Sequence, residues 1–120
     1  MCLRLVLTMC LVFAFASGAQ AEYTKVNEKS EFVRLVTGKI LTRPWVQLRV
    51  TEDGRIEGTG ARWSVSGAWS WRDGYFCRDL FWGGDDLGYN CQEVRASAAG
   101  HLRFISDKGE GRSAGFRLQD

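Results

Sequence analysis

Proline and histidine are nearly missing from this sequence, since Pro44 and His101 are the only examples in 120 residues. Prolines are frequent in linkers between domains, so a chain with one proline gives no indication of a second domain. Serine, cysteine and zinc-dependent catalysis commonly use histidine as a base or as a ligand. A single histidine therefore leaves few routes to those mechanisms.

Neither sign of charge dominates the sequence. It carries 16 basic and 14 acidic side chains, and removing Arg4 with the segment described next leaves 15 basic ones. Proteins that bind nucleic acid or an anionic membrane through their overall charge have a clear basic excess. The composition therefore makes no electrostatic case for either partner.

Long hydrophobic runs are also scarce, and the one from Leu5 to Ala16 lies between Arg4 and Ala19-Gln20-Ala21. A basic start, a short apolar run and an A-x-A sequence predict a secretory signal peptide over residues 1–21. The run is too short to cross a bilayer as a helix, and no second one follows. We expect residues 22–120 to form one domain, periplasmic or secreted, without a membrane span.

Cysteine is also scarce, with four examples in the sequence. Cys2 and Cys10 lie in the predicted signal peptide, which leaves Cys77 and Cys91. An even pair in an oxidising compartment predicts one disulfide, which would contribute about 3 kcal/mol for a loop of this length. Two thiols and His101 cannot complete a zinc site without carboxylates, so we predict no metal. No glycine motif has dinucleotide-binding spacing, and we predict no cofactor.

Short alternating segments separated by glycine turns are abundant. Trp45 to Val50 alternates, Glu52-Asp53-Gly54 turns the chain, and Arg55 to Gly60 alternates again, which predicts a β-hairpin. A three-residue loop with Gly54 left-handed sets Val50 opposite Ile56. Further strands are predicted at 64–71, 75–80, 89–97, 101–106 and 112–118.

These segments predict a mainly β fold, an antiparallel meander of seven or eight strands. A small closed or nearly closed barrel hides the strand edges most economically, and a two-sheet sandwich is the alternative. One short helix, capped by Asn27, running to Val36 and stopped by Gly38, is expected to plug one end of the barrel or to cover one face. We expect a monomer.

The turn at Asp73-Gly74 decides which side chains point into the barrel. A two-residue turn sets Trp69 opposite Arg78, so that Arg78 points inward and the disulfide lies on the outer face. A three-residue turn would instead point Arg78 outward and place the disulfide on the inner face. Because Cys91 shares its strand face with charged neighbours, the two-residue turn is favoured.

The segment from Gly67 to Cys91 holds seven aromatic residues among 25. It predicts an aromatic mouth with one inward arginine, able to hold the carboxylate or phosphate of a small apolar or anionic ligand. The alternative is that the aromatics only build the core, with Arg78 stacked on Trp69 or paired with Asp79. The candidate ligand-binding residues are Trp69, Trp71, Phe76, Arg78, Phe81 and Trp82.

Phe81 and Trp82 precede the flexible sequence Gly83-Gly84-Asp85-Asp86. Adjacent aromatics on a strand point in opposite directions, so at least one should be exposed. This favours a second hypothesis, a protein-interaction module or protease inhibitor that presents loop 81–88 to a periplasmic protein. The loop aspartates do not match the spacing of a calcium-binding EF-hand.

An enzyme is the third hypothesis and has the weakest support. Leu102 and Phe104 mark the inner face of their strand, which turns His101 outward. With both cysteines oxidised, no Ser-His-Asp or Cys-His set can be assembled. We therefore predict no catalytic residues and a non-enzymatic protein.

The aromatic segment also carries a recognisable set of residues, namely Trp69, Trp71, Cys77, Arg78, Asp79, Trp82 and Cys91. With Leu41-Thr42-Arg43-Pro44 and Phe104-Ile105-Ser106-Asp107 on its flanks, this set resembles short secreted bacterial proteins that circulate under the label dihydrodipicolinate reductase. The true enzyme begins with a nucleotide-binding βαβ unit where this chain has a predicted signal peptide, so the resemblance implies no activity. A looser similarity, through Gly67-Ala68-Trp69 and one disulfide, is to lipocalin-like barrels and small barrel protease inhibitors, and it implies architecture alone.

Overall fold

The computed structural model describes residues 22–120, and the predicted signal peptide lies outside the described residues. This range folds into one α-helix, α1 (Lys29–Val36), a short 3-10 turn (Asp107–Gly109) and ten strands. The strands are β1 (Tyr23–Lys25), β2 (Ile40–Arg43), β3 (Val46–Val50), β4 (Arg55–Gly60), β5 (Trp63–Arg72), β6 (Tyr75–Trp82), β7 (Asp85–Asp86), β8 (Asn90–Ser97), β9 (His101–Ile105) and β10 (Ser113–Gln119).

Eight of these strands close into an antiparallel barrel, in the order β2-β3-β4-β5-β6-β8-β9-β10. The circle closes because β10 pairs with β2, while β6 pairs with β8 as well as with β5. Closure gives every barrel strand a paired neighbour on each side, which removes the exposed edges of an open sheet. The predicted barrel is therefore confirmed, and the sandwich alternative is excluded. Strand β1 adds to β8, and β7 folds back on β6.

The side-chain faces follow the predicted hairpin registers. Val50 lies opposite Ile56, with Gly54 in the left-handed region at a φ of 93°. Trp69 lies opposite Arg78, as the two-residue turn requires, so the predicted inward orientation of Arg78 is confirmed. The opposite face of β6 carries Cys77, which places the disulfide outside the barrel.

The predicted disulfide joins directly opposed residues of β6 and β8. The pairing of these two strands covers only Phe76 to Arg78 against Asn90 to Gln92. Cys77 is buried although it lies on the outer face of the sheet. The covalent bond therefore fastens a short pairing that closes the barrel.

Helix α1 plugs one end of the barrel through Phe32, which is fully buried. The ring of Phe32 lies 5.3 Å from the rings of Trp69 and Trp71 and 5.2 Å from that of Phe76, measured between centroids. The predicted cap at Asn27 is wrong. Glu28 occupies the N-cap position without a side-chain cap bond. The carbonyl oxygen of Asn27 instead accepts a hydrogen bond from the indole Nε1 of Trp71 at 3.2 Å.

Candidate functional site: a cavity at the open end of the barrel

The two ends of the barrel differ. One end is filled by α1, and the other is bounded by the β2–β3 turn (44–45) and the β4–β5 turn (61–62). A cavity of about 450 Å³ lies inside this second end, which we call the open end. The volume falls within the range of small-molecule sites in proteins. The cavity is therefore the candidate functional site.

The cavity is mostly apolar because alternation turns one residue in two of each strand inward. Phe76 and Phe104 form its floor, next to the buried Phe32 of the plug. The walls are aliphatic and consist of Leu41, Val46, Leu48, Val50, Ile56 and Leu80.

Trp82 completes the wall near the open end, and the absence of a side chain at Gly60 makes room for it. A Cβ atom at Gly60 would lie 1.9 Å from the Trp82 ring. Gly60 is not required here by its backbone angles, since its φ is not positive. This glycine therefore sets the shape of the cavity.

Arg78 is the charged side chain in the middle of this wall, and it is half-buried. Its Nη1 donates a hydrogen bond to the carbonyl oxygen of Gly88 at 2.7 Å. It forms no ion pair within residues 22–120, and the carboxylate of the adjacent Asp79 lies on the outer face. Burial lowers the pKa of Arg78, while the charge of Asp79 acts in the opposite direction. The guanidinium is thus partly desolvated and lacks a close counterion.

The loop beside Arg78 is held by its own hydrogen bonds. An oxygen of the Asp86 carboxylate accepts a hydrogen bond from the backbone N–H of Gly88 at 2.7 Å. This contact fixes the carbonyl group that Arg78 binds. The carboxylate of Asp86 therefore has a structural role, because its hydrogen bond holds the loop.

Arg43 is a second cation at the open end. Its guanidinium carbon lies 5.6 Å from the centre of the Phe116 ring, and both residues line the cavity. Arg43 is not among the predicted ligand-binding residues, although strict alternation from Leu41 places it on the inner face. The turn that follows, Pro44 and Trp45, also lines the opening and was also missed.

The six predicted ligand-binding residues do not share one place. Phe76, Arg78 and Trp82 line the cavity. Trp69 and Trp71 instead lie at the plugged end, where both rings pack against Phe32. The remaining residue, Phe81, points outward from β6, where it lies opposite Ser66 and is exposed.

Other candidate chemistry is dispersed over the described residues. His101 lies on the outer face opposite Arg117, in the outward orientation that the sequence predicts. Between Glu22 and Asp120, no three His, Cys, Asp or Glu side chains come together as a possible metal site. Across the same range, no helix has the length and hydropathy needed to cross a membrane.

The cavity must be interpreted from its own geometry. Comparisons of the chain with protein-family models, with curated proteins and with solved structures find no match. The resemblance to the short secreted proteins and to lipocalin-like barrels therefore stays a prediction.

Proposed function

We propose that this protein is an exported, non-catalytic, monomeric binding protein that holds a small amphipathic anion in the barrel cavity. The observation that carries the proposal is the half-buried Arg78, which forms no ion pair within residues 22–120 and lines a mostly apolar cavity. A desolvated charge without a partner is unfavourable in a folded protein. An anionic ligand would supply the missing partner.

The apolar part of the ligand would occupy the space above Phe76 and Phe104. Burial of apolar surface contributes about 25 cal/mol per Å², so aliphatic and aromatic walls favour a hydrocarbon chain or a ring system. The cavity volume of about 450 Å³ suits a small molecule and excludes a folded partner.

The anionic group of the ligand would lie toward the open end, within reach of Arg78 and Arg43. One N–H of Arg78 is used by Gly88, which leaves four of its five donors for a ligand. Guanidinium groups bind carboxylates and phosphates through paired, charge-assisted hydrogen bonds. Both ligand classes are therefore compatible with the site.

Export is supported by the disulfide between Cys77 and Cys91. Structural disulfides persist in the periplasm and outside the cell, and they are rare in the reducing cytosol. Together with the predicted signal peptide over residues 1–21, this bond supports a periplasmic or secreted location.

The test is a binding titration of the purified protein with decanoate, decyl phosphate and decanol, followed by intrinsic tryptophan fluorescence. Trp82 lines the cavity and is expected to report occupancy. In Ala114→Phe the new ring should fill the cavity and weaken decanoate binding at least about tenfold. The matched control is Ser113→Phe, because Ser113 is the exposed neighbour on the same strand. Absence of saturable binding to all three compounds would rule out this function.

A second candidate function is a protein-interaction module or protease inhibitor that uses loop 81–88. It is favoured by the exposure of Phe81 and Leu87. Exposed aromatic and aliphatic side chains in loops are common anchors of protein interfaces. The variants Phe81→Ala and Leu87→Ala should then lose a partner that the wild-type protein captures from periplasmic extract. Unchanged capture by both variants would contradict this candidate.

A further inference from the structure

Exposed large hydrophobic side chains are unevenly distributed over the barrel. Among the described residues, one lies in the β2–β3 turn, one begins β5, and the other three lie on the last part of β6 and the segment that joins it to β8. Helix α1 exposes none of them. The exposed residues are Trp45 (85%), Trp63 (49%), Phe81 (40%), Leu87 (51%) and Tyr89 (56%).

Trp45 has the most unusual geometry of these residues. It occupies the second position of the two-residue β2–β3 turn with a φ of 69°, a left-handed conformation that turns of this kind normally reserve for glycine. Its carbonyl oxygen accepts a hydrogen bond from the N–H of Ala61 at 2.6 Å, which ties the two turns of the open end together. The chain therefore holds a large apolar side chain in water at a cost in backbone energy.

Trp63 stands beside the neighbouring turn. Its ring packs against Gly83, where a Cβ atom would lie 2.8 Å from the indole. The guanidinium carbon of Arg62 lies 5.3 Å from the centre of the ring. The open end thus carries apolar and basic side chains beside one opening, which we call the rim: Trp45, Trp63, Arg43 and Arg62.

We infer that the rim docks on a lipid bilayer, with the opening of the cavity facing the membrane surface. Tryptophan is enriched at the level of lipid headgroups, where its ring is buried and its N–H stays hydrated. Arginines beside it can contact headgroup phosphates. This role goes beyond ligand binding, because the docking does not require an occupied cavity.

The arrangement of the rim favours a bilayer over a protein partner. Its two tryptophans stand apart, Trp45 in the β2–β3 turn and Trp63 at the start of β5, beside a hole. A protein interface instead buries a continuous central patch. A bilayer can deform around such an edge, and it would let an amphipathic molecule enter the cavity without exposing its apolar part to water. The opening of the cavity and the apolar side chains of the rim would therefore contact the same bilayer surface.

Charge at the open end adds a dependence on lipid composition. Arg43 and Arg62 are exposed on the side of β2 to β5. The exposed carboxylates of Asp85 and Asp86 lie on β7, opposite Trp82 and Phe81 of β6, and therefore outside this basic side of the opening. We expect tighter docking on vesicles that contain phosphatidylglycerol than on phosphatidylcholine alone, and weaker docking at high salt.

The experiment is co-flotation of the purified protein, with its disulfide intact, on phosphatidylcholine vesicles containing phosphatidylglycerol. The variant Trp63→Ala should reduce the partition coefficient at least about tenfold. The matched control is Phe81→Ala, which removes an exposed aromatic from the outer wall and should change partitioning less than about twofold. Thermal unfolding of each variant verifies its fold.

The same variants separate docking from ligand binding. Trp63 does not line the cavity, so Trp63→Ala should bind decanoate as the wild-type protein does. Absence of wild-type protein from the floated vesicles would overturn the docking proposal, and so would an equal loss of partitioning in Phe81→Ala. Vesicle binding by a protein that binds no decanoate would instead contradict the cavity function and leave docking supported.

Discussion

Arg78 on β6 donates a hydrogen bond to the carbonyl oxygen of Gly88, 2.7 Å away on the loop that precedes β8. This bond joins the cavity wall to the connection between two strands that close the barrel. It also orients a guanidinium whose remaining donors have no carboxylate within residues 22–120. Arg78 therefore makes one structural hydrogen bond and has further N–H donors that a ligand could use.

We predict that Arg78→Gln weakens the affinity for decanoate by about tenfold to a hundredfold, because a charge-assisted hydrogen bond is lost. Affinity for decanol should not change, since a neutral head group gains little from the cation. Isothermal titration with both compounds measures the difference. Equal losses for decanoate and decanol would show that Arg78 shapes the cavity without binding the anion.

The inward orientation of Arg78 could be favoured from sequence because Cys91 shares its strand face with charged neighbours, which favours a two-residue turn at Asp73 and Gly74 over a three-residue one. Both residues have positive φ, 52° and 84°, which suits the tight hairpin turns that follow the twist of the strands. Once that turn is set, alternation fixes every side chain of β5 and β6. The length of this turn and the alternation of side chains were therefore sufficient to predict which residues of β5 and β6 point inward.

Strand alternation could not predict which end of the barrel α1 closes. Trp69 and Arg78 share a face, yet Trp69 packs on Phe32 of the plug and Arg78 lines the cavity. Alternation gives the face of a side chain and carries no information on its height in the barrel relative to α1. The predicted site therefore mixed residues of both ends. Strand β2 was missed because four residues give too little alternation to detect.

Removal of the disulfide by Cys77→Ala/Cys91→Ala should lower the free energy of unfolding by about 3 kcal/mol. The bond limits the unfolded chain and fastens the short pairing of β6 with β8. Urea denaturation of the double variant and of the wild-type protein, with and without reductant, measures the loss. A wild-type protein whose stability does not respond to reductant would contradict the expectation.

Phe32→Ala should destabilise the protein by about 3–5 kcal/mol, the usual range for removing a buried aromatic ring. Phe32 is fully buried and contacts four aromatic rings, those of Trp69, Trp71, Phe76 and Phe104. The control is Arg34→Ala, an exposed position of the same helix, with an expected change within about 0.5 kcal/mol. Thermal and urea unfolding give both values. A small effect of Phe32→Ala would mean that α1 is dispensable as a plug.

The β3–β4 turn should give the stability a weak dependence on acid pH. Asp53 accepts a hydrogen bond from Thr51 and lies 3.3 Å from the Nε of Arg55, and the hydrogen bond lowers the pKa of Asp53 more than the charge of Arg55 does. Because the pKa is lower in the folded state, the contribution is complete above the unfolded-state value of 3.8. This stabilisation is lost as the pH falls through the lower pKa that Asp53 has in the folded state.

Asp53→Asn should therefore unfold at a lower urea concentration than the wild-type protein at neutral pH, and the difference should disappear in strong acid. In a Thr51→Val background the effect of Asp53→Asn should shrink, since the main partner is already absent. Denaturation midpoints measured across the acid range test both statements. A constant difference at every pH would exclude the titration of Asp53 as its cause.

The left-handed backbone at Trp45 allows strain and docking to be separated with two substitutions at one position. Both Trp45→Gly and Trp45→Ala remove the exposed indole, so both should reduce flotation with vesicles to the same extent. Only glycine relieves the backbone, because an alanine Cβ still opposes a φ of 69°. The glycine variant should therefore be more stable than the alanine variant by about 1 kcal/mol in urea denaturation. Equal stability of the two variants would remove the argument that the chain maintains a strained turn in order to present this side chain.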